Sequence, residues 1–188
     1  LEDMGYTDMK ISLKASNVPL TIGAYEKMSR MVDYPLHLGI TEAGPIWRGT
    51  IKSSVGIGTL LSMGIGDTIR ISLTGDPIEE VKVGREILKS LGLLDDGLEI
   101  ISCPTCGRTR IHLIELVEEA ERRLKDIKKP LKVAIMGCAV NGPGEAREAD
   151  VGIAGGQGEG LIFKKGRVIR KVKEEFLIDE LIKEIENF

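Results

Sequence analysis

Three cysteines carry the strongest chemical signal in this chain. Cys103 and Cys106 form a Cys-x-x-Cys pair within CPTCGRT, and Cys138 follows at a distance in MGCAVNGPGE. An odd number of thiols, behind a first stretch (LEDMGYTDMK) with neither the charged nor the apolar region of a secretory leader, argues against a disulfide framework and for a reducing cytoplasm. Thiolates are soft ligands, and three of them in one place can hold three corners of a 4Fe–4S cluster, leaving the fourth iron to another group. A structural zinc site, or buried and inert thiols, are the alternatives. The glycine-rich CAVNGPGE loop favours the cluster, because its backbone can approach a bulky inorganic core closely. The fourth ligand is expected on that second loop, where Glu145, seven residues after Cys138, and then Glu148 are the carboxylates, and Asn141 lies between.

These residues have to be carried on strand ends. Apolar positions alternate over 9–14 and 68–73, and a third apolar run covers 36–40. Helical spacing covers 21–32, with Asn17 as a candidate N-cap, and 46–63; Pro77 opens a further helix to residue 91. Three successive βα units imply a parallel sheet, since each crossover needs a helix. Beyond the acidic Asp95-Asp96-Gly97 step the pattern changes. Short strands are expected at 98–102, 132–136 and 151–154, the first two running directly into cysteines. A hairpin is expected around Lys165-Gly166, and helices over 113–127 and 176–185. This divides the chain into residues 1–94 and 98–188.

Composition narrows the function classes. The 188 residues carry a net charge of −3, which argues against general affinity for nucleic acid or an anionic membrane surface. No apolar run approaches the ~20 residues of a transmembrane helix. Aromatic residues make up 4% of the chain, so stacking platforms for bases or sugars are not expected. The absence of an initiator Met suggests a fragment or a processed chain.

The motifs CPTCGRT and MGCAVNGPGEAREADVGIAGG, with KISLKAS, LHLGITEAG and IKSSVGIGTLLSMGIGDTIRISLTGDP upstream, resemble the 4-hydroxy-3-methylbut-2-enyl diphosphate synthase family over essentially the whole chain. The resemblance implies an α/β chain holding the last part of a TIM-type (β/α) barrel over residues 1–94. A small α+β iron–sulfur domain similar to sulfite and nitrite reductase modules follows over 98–188. About three βα units precede the linker, so roughly the first five strands of such a barrel, with several phosphate-binding arginines, have no counterpart here. The implied activity belongs to the methylerythritol phosphate route to isoprenoids. It is an oxidoreductase step in which 2-C-methyl-D-erythritol 2,4-cyclodiphosphate is opened by two electrons with loss of water, fed by flavodoxin or ferredoxin, in a cytoplasmic homodimer.

By the same resemblance Cys103, Cys106 and Cys138 are the cluster thiolates and Glu145 is a carboxylate ligand. Glu42 is the candidate general acid or base, Lys14 and Ser72 are substrate contacts at strand ends, and Asn141 touches substrate from the cluster loop. A carboxylate is a weak, exchangeable partner for iron beside thiolates, so the iron it holds is the expected site of C–O reduction. Arg108 could offset cluster charge or meet a phosphate. Lys52 and Ser53 sit in a family motif without an assigned role, as do His37 and His112, and lone histidines beside apolar residues are more often packed than catalytic. The basic stretch 165–171 could attract an acidic electron carrier. Two rivals stand beside this reading. A substrate-free electron-transfer module normally closes its cluster with four thiolates, and a sirohaem reductase fragment needs a fourth cysteine; this chain has three.

Overall fold

The computed structural model describes residues 1–139 and 146–188. Its contacts form two compact units, Leu1–Asp95 and Asp96–Phe188.

In the first unit three helices alternate with extended segments: α1 (Val18–Met28), α2 (Ile46–Ser62) and α3 (Pro77–Ser90). α1 starts where the Asn17 side chain accepts the Leu20 N–H at 2.9 Å, and α3 where Asp76 accepts the Ile78 N–H at 2.9 Å. Each has a proline in its first turn, where the missing N–H would have had no intrahelical partner. The extended segments pair in parallel: Ile11 bridges Leu36, β1 (His37–Leu38) pairs with β2 (Thr68–Ile69), and Pro45 bridges Thr74.

This pairing is sparser than the alternation at 9–14 and 68–73 predicts, and a side chain accounts for part of the difference. The Ile11 N–H meets the Pro35 carbonyl at 2.9 Å, and the His37 N–H meets the Ile11 carbonyl at 2.7 Å. The next parallel bond would join the Leu13 N–H to the His37 carbonyl. Instead the hydroxyl of Tyr25, a wholly buried residue of α1, accepts from Leu13 at 2.9 Å and donates to His37 at 2.5 Å. The ladder continues through a phenol rather than backbone to backbone.

Leu36, Leu38 and Ile71, with Ile11, Leu13 and Ile69, pack against Tyr25, Ile57, Leu60 and Ile87 of the helices. By the pleat, Lys10, Ser12, Lys14, His37, Gly39, Thr68, Arg70 and Ser72 fall on the opposite face.

The second unit is built on a mixed sheet in the order β3 (Glu99–Ser102), β4 (Lys132–Met136), β5 (Val151–Gly155), β6 (Glu159–Lys164) and β7 (Arg167–Lys173). β3, β4 and β5 are parallel, whereas β5, β6 and β7 form an antiparallel meander. α4 (Leu113–Leu124) lies between β3 and β4 in the chain, and α5 (Leu177–Glu186) closes it. Val133, Ile135, Ile153 and Ile162 pack with Leu124 of α4 and Leu181 of α5. Ala134, Met136, Ala154 and Phe163 belong to a second cluster with Ala146 and Ala149. Burial on both faces is why KVAIM and VGIAG read as apolar runs rather than alternations. α4 stops three residues short of the expected 127, because the Ile127 N–H turns back to the Leu124 carbonyl at 3.0 Å.

Ile135 is wholly buried at the centre of this sheet, while Val168 on β7 is 49% exposed. Ile135→Ala is therefore expected to cost about 2–5 kcal/mol in urea unfolding, by lost burial and an unfilled cavity. Val168→Ala should stay within about 0.5 kcal/mol of the parent. Equal midpoints for the two variants would contradict this placement of the core.

Candidate functional site

β3 and β4 run parallel with Ser102 opposite Ile135, so their C-terminal ends open side by side, where ligands gather in α/β sheets. Cys103 follows β3 directly and Cys138 lies two residues beyond β4. All three thiols line one pocket of about 220 Å³, together with Arg108, Thr109 and Gly137. Cys138 is buried, Cys103 partly buried and Cys106 exposed.

The Gly137 N–H donates to Cys103 Sγ at 3.2 Å, tying the first cysteine to the residue before the third. Thr109 closes the turn of the second: its Oγ1 accepts the Cys106 N–H at 3.2 Å, and its own N–H reaches the Cys106 carbonyl at 3.0 Å. The Arg108 backbone N–H, then the Arg108 side chain and the Thr109 hydroxyl, hold the Cys106 thiol below the ordinary thiol range. That favours the thiolate, the form that binds metal. Among the described residues no three His, Cys, Asp or Glu side chains come together around a single ion. Asn141 and Glu145 lie outside the described residues, and Glu148 is exposed.

The polar sheet face of the first unit gathers cations. Lys14 is held below its ordinary value by burial first, then by the charges of Arg70 and Lys10. His37 is likewise lowered, by burial first and then by Lys14, Lys10 and Arg70, while its Nδ1 lies 2.8 Å from Thr68 Oγ1. Gly39 makes room for this crowding: a Cβ there would stand 2.8 Å from the Arg70 carbonyl and 3.1 Å from Lys14 Cε. Ser72 shares the strand face of Arg70 two residues on and is half-buried. Such a face suits an anion. Arg70 and Gly39 escaped the sequence reading, although Arg70 and Ser72 flank Ile71 in a strand whose alternate residues enter the core. Glu42 is exposed in the turn after β1 with a φ of +52°, a left-handed conformation uncommon outside glycine and often retained where a turn has a function.

Other candidates fall elsewhere. Ser53 is wholly buried on the packed side of α2, and Lys52 is half-buried beside it. The basic hairpin is not beside the cysteines. Lys164 pairs with Val151, which pairs with Val133, so the hairpin tip lies about 17 Å along the strands from Cys138. Two of its cations are paired, Arg170 with Glu180 at 2.6 Å and Lys171 with Glu159 at 3.0 Å, and the adjoining Lys164 meets Glu184 at 2.6 Å. These pairs join β6 and β7 to α5 and to each other. His112 opens α4, with Glu174 Oε1 accepting from its backbone N–H at 2.9 Å and lying 3.0 Å from its Nδ1.

Residues 1–85 match the GcpE TIM-barrel domain, and residues 99–187 match the GcpE protein C-terminal domain. The chain belongs to the GcpE family. It is 69% identical over 187 residues to a 4-hydroxy-3-methylbut-2-en-1-yl diphosphate synthase (flavodoxin) of Clostridium acetobutylicum, covering 100% of this chain and 54% of that protein. Synthases of the same description from Caldanaerobacter subterraneus subsp. tengcongensis and Geobacter sulfurreducens are 69% and 61% identical, with 99% of this chain and 52% and 53% of theirs covered. The chain thus spans about half the length of the curated relatives it matches. In this chain the cationic face lies in the stretch matching the barrel domain and the cysteine pocket in the stretch matching the C-terminal domain.

The two histidines should titrate apart. Glu174 stabilises protonated His112 and raises its pKa, by their hydrogen bond first. The stability His112 contributes is therefore full below the ordinary imidazole value and lost as pH rises through the raised one. His37 is lowered, so the unfolded chain takes up its proton first, and stability rises with pH between the lowered and the ordinary value. In an NMR titration His112 should titrate above His37, and Glu174→Gln should bring His112 down while leaving His37 in place. Coincident curves in the parent would contradict both environments.

Proposed function

We propose that this chain carries the cluster-binding part and a share of the substrate-binding barrel of a 4-hydroxy-3-methylbut-2-enyl diphosphate synthase. The observation that carries the reading is the convergence of Cys103, Cys106 and Cys138 on one pocket at the ends of two parallel strands. The donor set fits an iron–sulfur group: three soft sulfurs, a backbone N–H on one of them and an arginine beside another. A tetrahedral zinc ion would draw its sulfurs to about 3.8 Å of one another, whereas sulfurs on separate irons stand farther apart in a shared pocket.

The reaction is 2-C-methyl-D-erythritol 2,4-cyclodiphosphate plus two electrons and two protons, giving 4-hydroxy-3-methylbut-2-enyl diphosphate and water. One ring C–O bond to phosphate breaks, and a hydroxyl leaves as water. When bound, a 4Fe–4S cluster supplies electrons singly and an iron open to an oxygen ligand. The chain's own residues do the rest. Cys103, Cys106 and Cys138 hold three corners, and Glu145, on the loop after Cys138, is the exchangeable fourth ligand, with Asn141 of that loop beside the substrate. Lys14, Arg70 and Ser72 bind the diphosphate on the cationic face, and Glu42 delivers the proton the departing hydroxyl needs. Flavodoxin or ferredoxin is the donor in a reducing cytoplasm, and a homodimer supplies the complete site.

Anaerobic reconstitution with ferrous iron and sulfide tests this. About four irons and four sulfides per chain are expected, and Cys103→Ser, Cys106→Ser or Cys138→Ser should each abolish the visible band. Glu145→Gln should keep the band but alter the spectrum of one iron. Stoichiometric zinc without sulfide would overturn the reading.

A further inference from the structure

The two cysteine loops meet at a residue that is not itself a ligand. Thr109 exchanges hydrogen bonds with the main chain of Cys106, at 3.2 and 3.0 Å. On its other flank it fills the space a side chain on Gly137 would need: a Cβ there would stand 2.9 Å from Thr109 Oγ1, 3.0 Å from Thr109 Cγ2 and 3.3 Å from Leu113 Cδ2. The neighbouring Arg110 N–H binds the Gly137 carbonyl at 2.9 Å. Gly137 in turn reaches Cys103 Sγ through its N–H and is bonded directly to Cys138. The contacts between the Cys106 turn and the Cys138 loop therefore run through the Thr109–Gly137 pair. A hydroxyl has one proton and two lone pairs. Accepting the Cys106 N–H leaves that proton for the Cys106 sulfur, and β-branching limits Thr109 to few rotamers, so hydroxyl and methyl are placed together.

We propose that Thr109 is the positioning residue of the cysteine pocket, its hydroxyl setting the Cys106 sulfur and its methyl seating Gly137. Together these contacts fix the spacing of the three thiols and the reduction potential of the iron–sulfur group they hold. The second half of this inference rests on the cluster reading above. Hydrogen bonds to cluster sulfurs raise the potential by stabilising the more negative, reduced state, so removing one donor lowers it.

Three variants of the full chain separate the parts. Thr109→Val keeps the methyl and loses the hydroxyl; after anaerobic reconstitution it should load iron and sulfide as the parent does. Its midpoint potential should fall, by about 59 mV for each tenfold change in the reduced-to-oxidised ratio. Thr109→Ser keeps the hydroxyl and should restore the parent potential. Gly137→Ala should lower the iron and sulfide retained, because the added methyl drives Thr109 off the loop. In the metal-free chain the Cys106 amide should exchange with deuterium faster in Thr109→Val than in the parent or Thr109→Ser. A Thr109→Val chain with the parent's potential and the parent's Cys106 exchange overturns the proposal. If the parent takes up no iron and sulfide, the cluster reading falls, and the exchange comparison still decides whether Thr109 sets the Cys106 turn.

Discussion

The second unit depends on one pairing, the parallel register of β3 against β4. Backbone N–H and C=O groups buried in a sheet have to be satisfied, and the register that satisfies them sets Glu99 against Lys132 and Ser102 against Ile135. Both strands therefore end at the same level, with a cysteine just beyond each. A slip of one residue would turn Val133 and Ile135 away from the helices and bring Ala134 and Met136 round to them. The apolar core of the sheet thus enforces the alignment of the thiols, with Cys138 buried and Cys103 packed against it.

In the first unit the corresponding constraint is the pleat. Leucines and isoleucines on one face bind the helices, which leaves lysines, a histidine and an arginine on the other. Burial first, and then the neighbouring like charges, disfavour the charged forms of Lys14 and His37. A face of this kind is costly to keep without an anion, and tolerable in a protein that binds one. Gly39 leaves room for the Lys14 side chain and the Arg70 carbonyl, both of which a Cβ there would crowd.

Much of this was legible in the residues themselves. The cap at Asn17, the proline opening the helix at 77, the apolar run KVAIM and the Lys165-Gly166 turn state their elements directly, because short-range chemistry decides them. The cysteine pair and the distant Cys138 announced a shared site by type and spacing alone. What escaped is non-local. No local pattern reveals that a buried tyrosine hydroxyl replaces a ladder bond, or that Gly137 is small for the sake of Thr109. The basic stretch 165–171 reads as a surface that could attract an acidic carrier because charge is visible in sequence, whereas the partners of Arg170, Glu180 and Glu184, are not. Arg70 went unnoticed for the opposite reason: one charged residue in an alternating strand is unremarkable until the neighbouring strands bring Lys14 and His37 beside it.

The mixed topology of the second sheet also orders its assembly in time. β5, β6 and β7 are joined by tight turns, and hairpins form within about 1–10 microseconds. Glu99 and Lys132 are separated by 33 residues, and closing so long a loop around a helix is slower, since chain entropy is lost before contact compensates for it. On refolding from denaturant the β5–β6–β7 meander is therefore expected to form before β3 docks on β4. Cys103 and Cys106 are neighbours in the chain, but Cys138 joins them in one pocket only through the β3–β4 pairing, so the three-sulfur site belongs to the folded sheet and not to any local segment.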